Sequence, residues 1–271
     1  MAVITKIQVQ QRNKSRYNIF LNRGKGEEYA FSVAEDVLIK YGLKKGLELN
    51  EESLIKIIDE DEKKKTYFLA INYLSYRMRS IEEMRLYLLK KEKEPQHVSE
   101  VIEELIKQKL LNDDEFARAY IRSKQLTLMK GPLKLKQELL QKGVNDVVID
   151  GALEPFKKSD QKESIIKWLE KQKKRNSKVS NQAFIDKLSN QLQTKGFTRD
   201  VIKEALKEVD LSNEKEEEWE SICFQGEKAK RKWANKYSGW EFNQRIKQAL
   251  YRKGFSLDLI EKYIEETEDN D

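Results

Sequence analysis

The sequence predicts a mainly α protein, with tandem three-helix repeats in an elongated curved stack behind a small N-terminal α/β segment (a β-hairpin plus helices). Three observations carry that prediction. Period-two patterning is confined to the first 62 residues, and beyond them a glycine-anchored apolar register recurs. Only three prolines and eleven glycines interrupt 271 residues.

The N-terminal elements follow in order. Ile7 and Val9 alternate, then Tyr17, Ile19 and Leu21, then Tyr29 and Phe31. Alternating β-branched and aromatic residues are the signature of strands. Between the last two runs, Asn22-Arg23-Gly24-Lys25-Gly26 collects residues that tolerate φ > 0, which predicts a hairpin turn. It is not a phosphate loop: that motif requires G-x-x-x-x-G-K-[ST], and Glu27 and Glu28 follow here. Ser32 with Glu35 three residues on has the capping-box spacing for a first helix, and Gly42 stands where a C-terminal αL residue is wanted. A second short helix is expected from Asn50 to about Asp59.

From Lys63 onward the pattern is helical and repeats around Gly143, Gly196 and Gly254. Leu135, Leu188 and Ile246 stand eight residues before these glycines, Leu139, Leu192 and Leu250 four before, and Lys142, Lys195 and Lys253 one before. Val144, Phe197 and Phe255 follow directly. Ile149, Ile202 and Ile260 come six residues after, and Leu153, Leu206 and Ile264 ten after. Apolar residues at −8 and −4 form one helix stripe, Lys favours the negative C-terminal end, and Gly supplies the αL cap. An earlier copy has Met84, Leu88 and Lys91 in place but Glu92 instead of glycine, followed by an insertion at Glu94-Pro95-Gln96. The expected organisation is therefore an extension over 1–62 and modules over 63–112, 113–158, 159–210 and 211–271, each burying its apolar face on a neighbour.

Composition removes several classes of function. The single Cys223 allows no internal disulfide framework and points to a reducing, cytoplasmic setting. His97 is the one histidine, has no neighbouring ligand and is expected as a solvated residue of the inserted turn. No apolar run approaches a bilayer span, so no membrane association is expected. Asp113, Asp114 and Glu115 follow Asn112 as a helix-capping group rather than metal ligands. No carboxylate pair stands in an apolar setting that would raise a pKa for acid–base work. No catalytic residue, metal or cofactor is expected, and the protein reads as a non-enzyme.

The first two modules carry a resemblance. Tyr73-Leu74-Ser75-Tyr76-Arg77-Met78-Arg79-Ser80, then Glu82-Glu83-Met84, then Leu110 to Ala117 resemble the RecX family of recombination regulators. Lys130-Gly131-Pro132 ahead of Glu138 to Gly143 continues the likeness, which is strongest over about 67–155. Phe31 to Lys40 resembles the N-terminal extension of the longer members. The lack of glycine in the first module departs from the pattern. The resemblance implies a non-enzymatic partner of the RecA recombinase filament on single-stranded DNA, and the chain is expected to be a monomer. It would lie in the filament groove and modulate, mainly restrain, ATP hydrolysis and strand exchange in recombination and repair.

Charge marks the candidate contacts. Arg77, Arg79 and Arg85 stand among Tyr67, Phe68, Tyr73, Tyr76 and Tyr87, where aromatics could be core or could stack on bases. Lys171, Lys173, Lys174, Arg175 and Lys178 close the basic run 162–178, which contains only Glu163 and Glu170 as acids. Lys230, Arg231 and Lys232 belong to a second cluster with Lys228 and Lys236. Such groups can neutralise phosphates with salt-dependent, sequence-independent affinity. The alternative function is a helical-repeat protein that binds single-stranded nucleic acid directly. A continuous basic face formed by the two clusters would favour it, and alternating signs would favour a protein partner.

Overall fold

A computed structural model of the chain describes residues 2–24, 26–172, 178–211 and 215–268. They divide into two compact units, 1–117 with 141–148, and 118–140 with 149–271.

The first unit opens with a four-stranded antiparallel sheet of order β3-β2-β1-β4, built from β1 (Ala2–Val9), β2 (Arg16–Asn22), β3 (Glu27–Ala34) and β4 (Glu48–Leu49). Ile7 pairs with Ile19, and Ile19 with Phe31, so the alternation in the sequence becomes one ladder. The β2–β3 connection is the expected turn, where the Asn22 side-chain oxygen accepts from the Gly24 and Gly26 N–H groups. Helix α1 (Glu35–Lys40) and the start of α2 (Glu51–Tyr76) cover the sheet. Ile4, Ile19, Leu21, Val33, Val37, Leu54 and Ile57 form the shared core.

Two N-terminal expectations fail. Ser32 is not a helix cap but a β3 residue whose hydroxyl and carbonyl accept from Arg16, and α1 starts at Glu35 behind Ala34 without a side-chain cap. Strand pairing of Asn18 with Ser32 outcompetes the local capping pattern. Nor does a short helix end near Asp59: α2 runs unbroken for 26 residues. Its charged middle contains no Gly or Pro, and Glu60, Glu62 and Lys63 to Lys65 are good helix formers. Asp61 is buried there, accepting from Arg16 at 2.7 Å, the Ala34 N–H at 2.8 Å and Lys65 at 3.0 Å.

The rest is helical. Helices α3 (Ile81–Lys90) and α4 (Pro95–Lys107) pack with the second half of α2 around Ala70, Met84, Leu88, Val101 and Leu105. Then come α5 (Asp113–Leu128), α6 (Pro132–Gln141), α7 (Asp146–Leu153), α8 (Lys158–Lys171), α9 (Asn181–Thr194), α10 (Arg199–Glu208), α11 (Lys215–Trp233), α12 (Gly239–Tyr251) and α13 (Leu257–Glu268). The −8 and −4 residues of every repeat are buried, as are Val144, Phe197, Phe255, Ile149, Ile202 and Ile260. The three glycines take φ of +75°, +92° and +80°, and Glu92 takes the same αL conformation at +57°. His97 corrects the sequence expectation. Pro95 is the first residue of α4, a position proline favours, so His97 lies in the first turn, 6% exposed, with Nε2 2.8 Å from Asp59.

The glycines have a second role. In the first unit, the Ser80 hydroxyl at the N-cap of α3 donates to the Lys142 carbonyl at 2.6 Å, and a Cβ on Gly143 would lie 2.3 Å from Glu82 Cβ. In the second unit, Ser180 at the N-cap of α9 donates likewise to the Lys253 carbonyl. There too, the Gly131 N–H before α6 donates to the Lys195 carbonyl at 2.8 Å, and the Leu133 N–H to Gly196 at 3.1 Å. Each Lys-Gly corner thus receives the N-terminus of a helix from the preceding repeat. A distant acid caps two of those helix starts: Asp113 accepts from the Ile81 N–H, and Glu218 from Asn181. At the third, Pro132 has no N–H to cap.

Candidate partner and nucleic-acid interface

The predicted basic residues separate into two groups, one in each unit. In the first, Arg77 ends α2 and donates through both terminal nitrogens to Glu83, at 3.0 and 3.1 Å. Lys142 donates to the same carboxylate at 2.8 Å. Burial pushes the Glu83 carboxyl up, but the Arg77 and Lys142 bonds outweigh it and bring the pKa to about 2. Arg85 lies 3.6 Å from Glu82. The Arg79 guanidinium carbon lies over the Tyr73 ring, 3.9 Å from its centre, and Tyr73 in turn stacks on Tyr87 at 3.8 Å and 7°. The Arg79 Nε is buried without a hydrogen-bond partner among the described residues. Tyr73 and Tyr87 are thus engaged with each other, whereas Tyr76, 84% exposed, and half-exposed Phe68 remain open to a partner.

In the second unit the described residues of the run 162–178 do not form one free basic face. Lys162 is paired with Glu208 on α10, and Lys167 with Glu163. Lys171 is exposed at the end of α8. Lys173, Lys174 and Arg175 lie outside the described residues. Lys178 instead reaches α11, its ammonium 5.0 Å from the centre of the Phe224 ring. The next residue, Gln225, donates its side-chain amide to the Lys178 carbonyl and accepts from Lys253 Nζ. Gln225, Lys228 and Lys232 follow at i, i+3 and i+7 on one helix face. Burial, and then the charges of Lys228 and Lys232, lower the Lys253 pKa. Lys230 turns toward Tyr263, 6.0 Å from its ring, while Arg231 and Lys232 are exposed.

The ends of the two basic runs therefore meet, but through residues the charge count did not single out. The sequence suggested a dipole role for Lys253 and none for Phe224 or Gln225. The i, i+3, i+7 spacing from Gln225 was the available signal. The described carboxylates offer no comparable chemistry. Asp113 is raised by burial, opposed by the Ile81 N–H, and it serves as a cap. No group of His, Cys, Asp and Glu among the described residues could hold a metal. No helix among them is long and apolar enough to cross a membrane.

Fold and surface together define a three-helix-repeat protein with many charged side chains and no assembled catalytic constellation among the described residues. Comparison with known proteins makes this particular. The RecX N-terminal model matches residues 2–50, the first three-helix model 67–105, the second 112–153, and the third both 159–206 and 216–264. A regulatory protein RecX of Halalkalibacterium halodurans is 53% identical over 97% of this chain and 99% of its own length. One from Bacillus cytotoxicus is 43% identical over 98% of both chains. A crystal structure of regulatory protein RecX superimposes with a TM-score of 0.63 at 33% identity, covering 77% of this chain and all of that one. RecX from Lactobacillus salivarius gives 0.53 at 34% identity, over 56% of this chain and 99% of its own. The chain belongs to the RecX family of regulatory proteins.

Proposed function

We propose that this chain regulates homologous recombination and DNA repair by binding the RecA filament on single-stranded DNA and restraining its ATP hydrolysis and strand exchange. Family membership across nearly the whole length is the observation that carries the reading. The surface is consistent with it: charges of both signs suit a broad polar interface. Modules 63–112, 113–158, 159–210 and 211–271 behind the extension 1–62 would give a cytoplasmic monomer several contacts whose affinities combine as avidity. Helix α2 crosses the first of those boundaries. The test is RecA ATPase on single-stranded DNA, titrated with this protein at fixed salt alongside co-sedimentation. Reduced turnover with the protein in the pellet is expected; unchanged turnover with no co-sedimentation refutes the proposal.

A second reading, direct binding of single-stranded nucleic acid, is favoured by one observation: the meeting of Lys178, Lys228, Lys232 and Lys253 around α11.

A further inference from the structure

We infer that the surface formed by Lys178, Lys228, Lys232 and Lys253 around Phe224 and Gln225 is a phosphodiester-binding site for single-stranded nucleic acid. The inference deepens the reading of a partner assembled on single-stranded DNA by naming where this chain would touch the strand itself.

Four ammonium groups from three separate segments converge here: the approach to α9, helix α11 and the α12–α13 corner. Gln225 fixes two of those segments to α11 through its two side-chain bonds, so the arrangement is held by the fold and is not a chance drift of flexible lysines. Several lysines elsewhere on the molecule are neutralised locally. Lys56 pairs with Glu52, Lys63 with Glu100, and Lys162 with Glu208. None of the four has an ion-pair partner among the described residues. From Phe224 to Trp233 the one carboxylate is Glu227, which accepts from the Tyr263 hydroxyl at 3.4 Å. Like charges crowded without counter-ions favour an anion; burial first, and the charges of Lys228 and Lys232 second, lower the Lys253 pKa.

The anion is a strand rather than an isolated phosphate because of extent and composition. Lys228 and Lys232 are one helical turn apart, about the 5–6 Å between neighbouring side chains on a helix face, so the charges form a short track. Phe224, 45% exposed, lies in that track under Lys178. An exposed ring within a line of cations is what unpaired bases stack upon while the backbone follows the charge. A duplex keeps its base faces stacked internally and could use only the lysines.

The test omits RecA. Binding of a fluorescein-labelled oligothymidylate is followed by anisotropy across a salt series. For the variant carrying Lys178→Gln, Lys228→Gln, Lys232→Gln and Lys253→Gln, the slope of log affinity against log salt should fall by roughly 2 to 3, since each phosphate contact on a single strand contributes about 0.7. The corresponding Lys→Arg variant should restore it. Phe224→Ala should weaken binding about tenfold with the slope unchanged. A control removing the paired Lys56, Lys162 and Lys167 should leave the slope as it is. An unchanged slope in the first variant, or an equal fall in the control, overturns the site. A duplex of the same length binding as tightly overturns the single-strand assignment. Co-sedimentation of the same variants with RecA filaments, run in parallel, separates failure of this site from failure of the regulatory reading.

Discussion

Replacing Gly196 with alanine should do more damage than replacing Gly42, although both adopt positive φ. At Gly42 φ is +58° and an added Cβ meets nothing within 4 Å, so the cost is the αL strain of an L-residue, about 1–2 kcal/mol. At Gly196 φ is +92°, and the Cβ would lie 2.3 Å from the Lys134 nitrogen and 2.5 Å from its Cβ. These atoms are on or next to the backbone of α6 and cannot swing aside. Alanine is accommodated only if the start of α6 withdraws. That breaks the Gly131 N–H bond to Lys195 at 2.8 Å and the Leu133 N–H bond to Gly196 at 3.1 Å, at about 1 kcal/mol each. The expected loss is therefore about 3–4 kcal/mol at Gly196 against about 1–2 at Gly42. Because the chain divides into two units, one unfolding midpoint is not an adequate readout. Hydrogen exchange of the segment holding the Gly131 and Leu133 amides is the direct measurement. Protection there should collapse in Gly196→Ala and persist in Gly42→Ala. Equal protection in both variants would refute the close-approach argument.

Other perturbations follow from the same geometry. Glu83→Gln should destabilise the first unit by about 2–3 kcal/mol at neutral pH, because a carboxyl held near 2 instead of its usual value favours the folded state when ionised. That stability is complete above pH ~5 and is lost as pH falls toward ~2; denaturant titrations across the range should show a steeper acid loss in the parent than in the variant. Asp61→Ala strands Arg16 in a site where its side chain is 15% exposed, and should cost about 3 kcal/mol, read as faster exchange along β3. Arg79→Ala should cost about 1 kcal/mol through loss of the Tyr73 stack, with Arg79→Lys recovering little because an ammonium lacks the planar face; full recovery by Lys would remove stacking as the cause.

Much of this was legible in the sequence because helix stripes and αL caps are local. The −8 and −4 residues of every repeat, and the +1 residues of the three glycine-anchored ones, are core as their spacing requires, and Asn112 caps α5, accepting from the Asp114 and Glu115 N–H groups. The failures have non-local causes. Ser32 had the capping pattern but lies in a strand ladder, and α2 passes through a charged run because Asp61 has partners 45 and 27 residues away. His97 looked solvated until Pro95 proved to start α4 and Asp59 came within 2.8 Å. The lysine surface was half legible for the same reason. Lys228 and Lys232 are neighbours on one helix, but Lys178 and Lys253 join them through the distant contacts of Gln225 and Phe224.

The repeat glycine shows how a single residue type can serve two constraints that the sequence alone presents as one. If αL geometry were the whole demand, Glu92 would be as costly as glutamate at Gly143, since it takes φ of +57° in the equivalent corner. Yet Glu92 is exposed, and its corner lies within the first repeat, against which no preceding three-helix repeat sends a helix start. At Gly143 and Gly196 a Cβ would come within 2.3 Å of the arriving helix, and at Gly254 within 3.0 Å of Gln182 and Ser180. The identity of the arriving residue follows from the same closeness. Ser80 and Ser180 offer a hydroxyl to the lysine carbonyl, whereas at Gly131 the approach is made by the backbone N–H itself, and a Cβ there would sit 2.4 Å from Gly196. Helix N-termini carry partial positive charge and C-terminal carbonyls partial negative charge, so these corners also join complementary dipole ends. Glycine is thus required where a repeat receives a neighbour and dispensable where it does not. Glu92→Gly should accordingly relieve strain without tightening any contact, whereas a side chain at Gly143 or Gly196 should release the helix it receives.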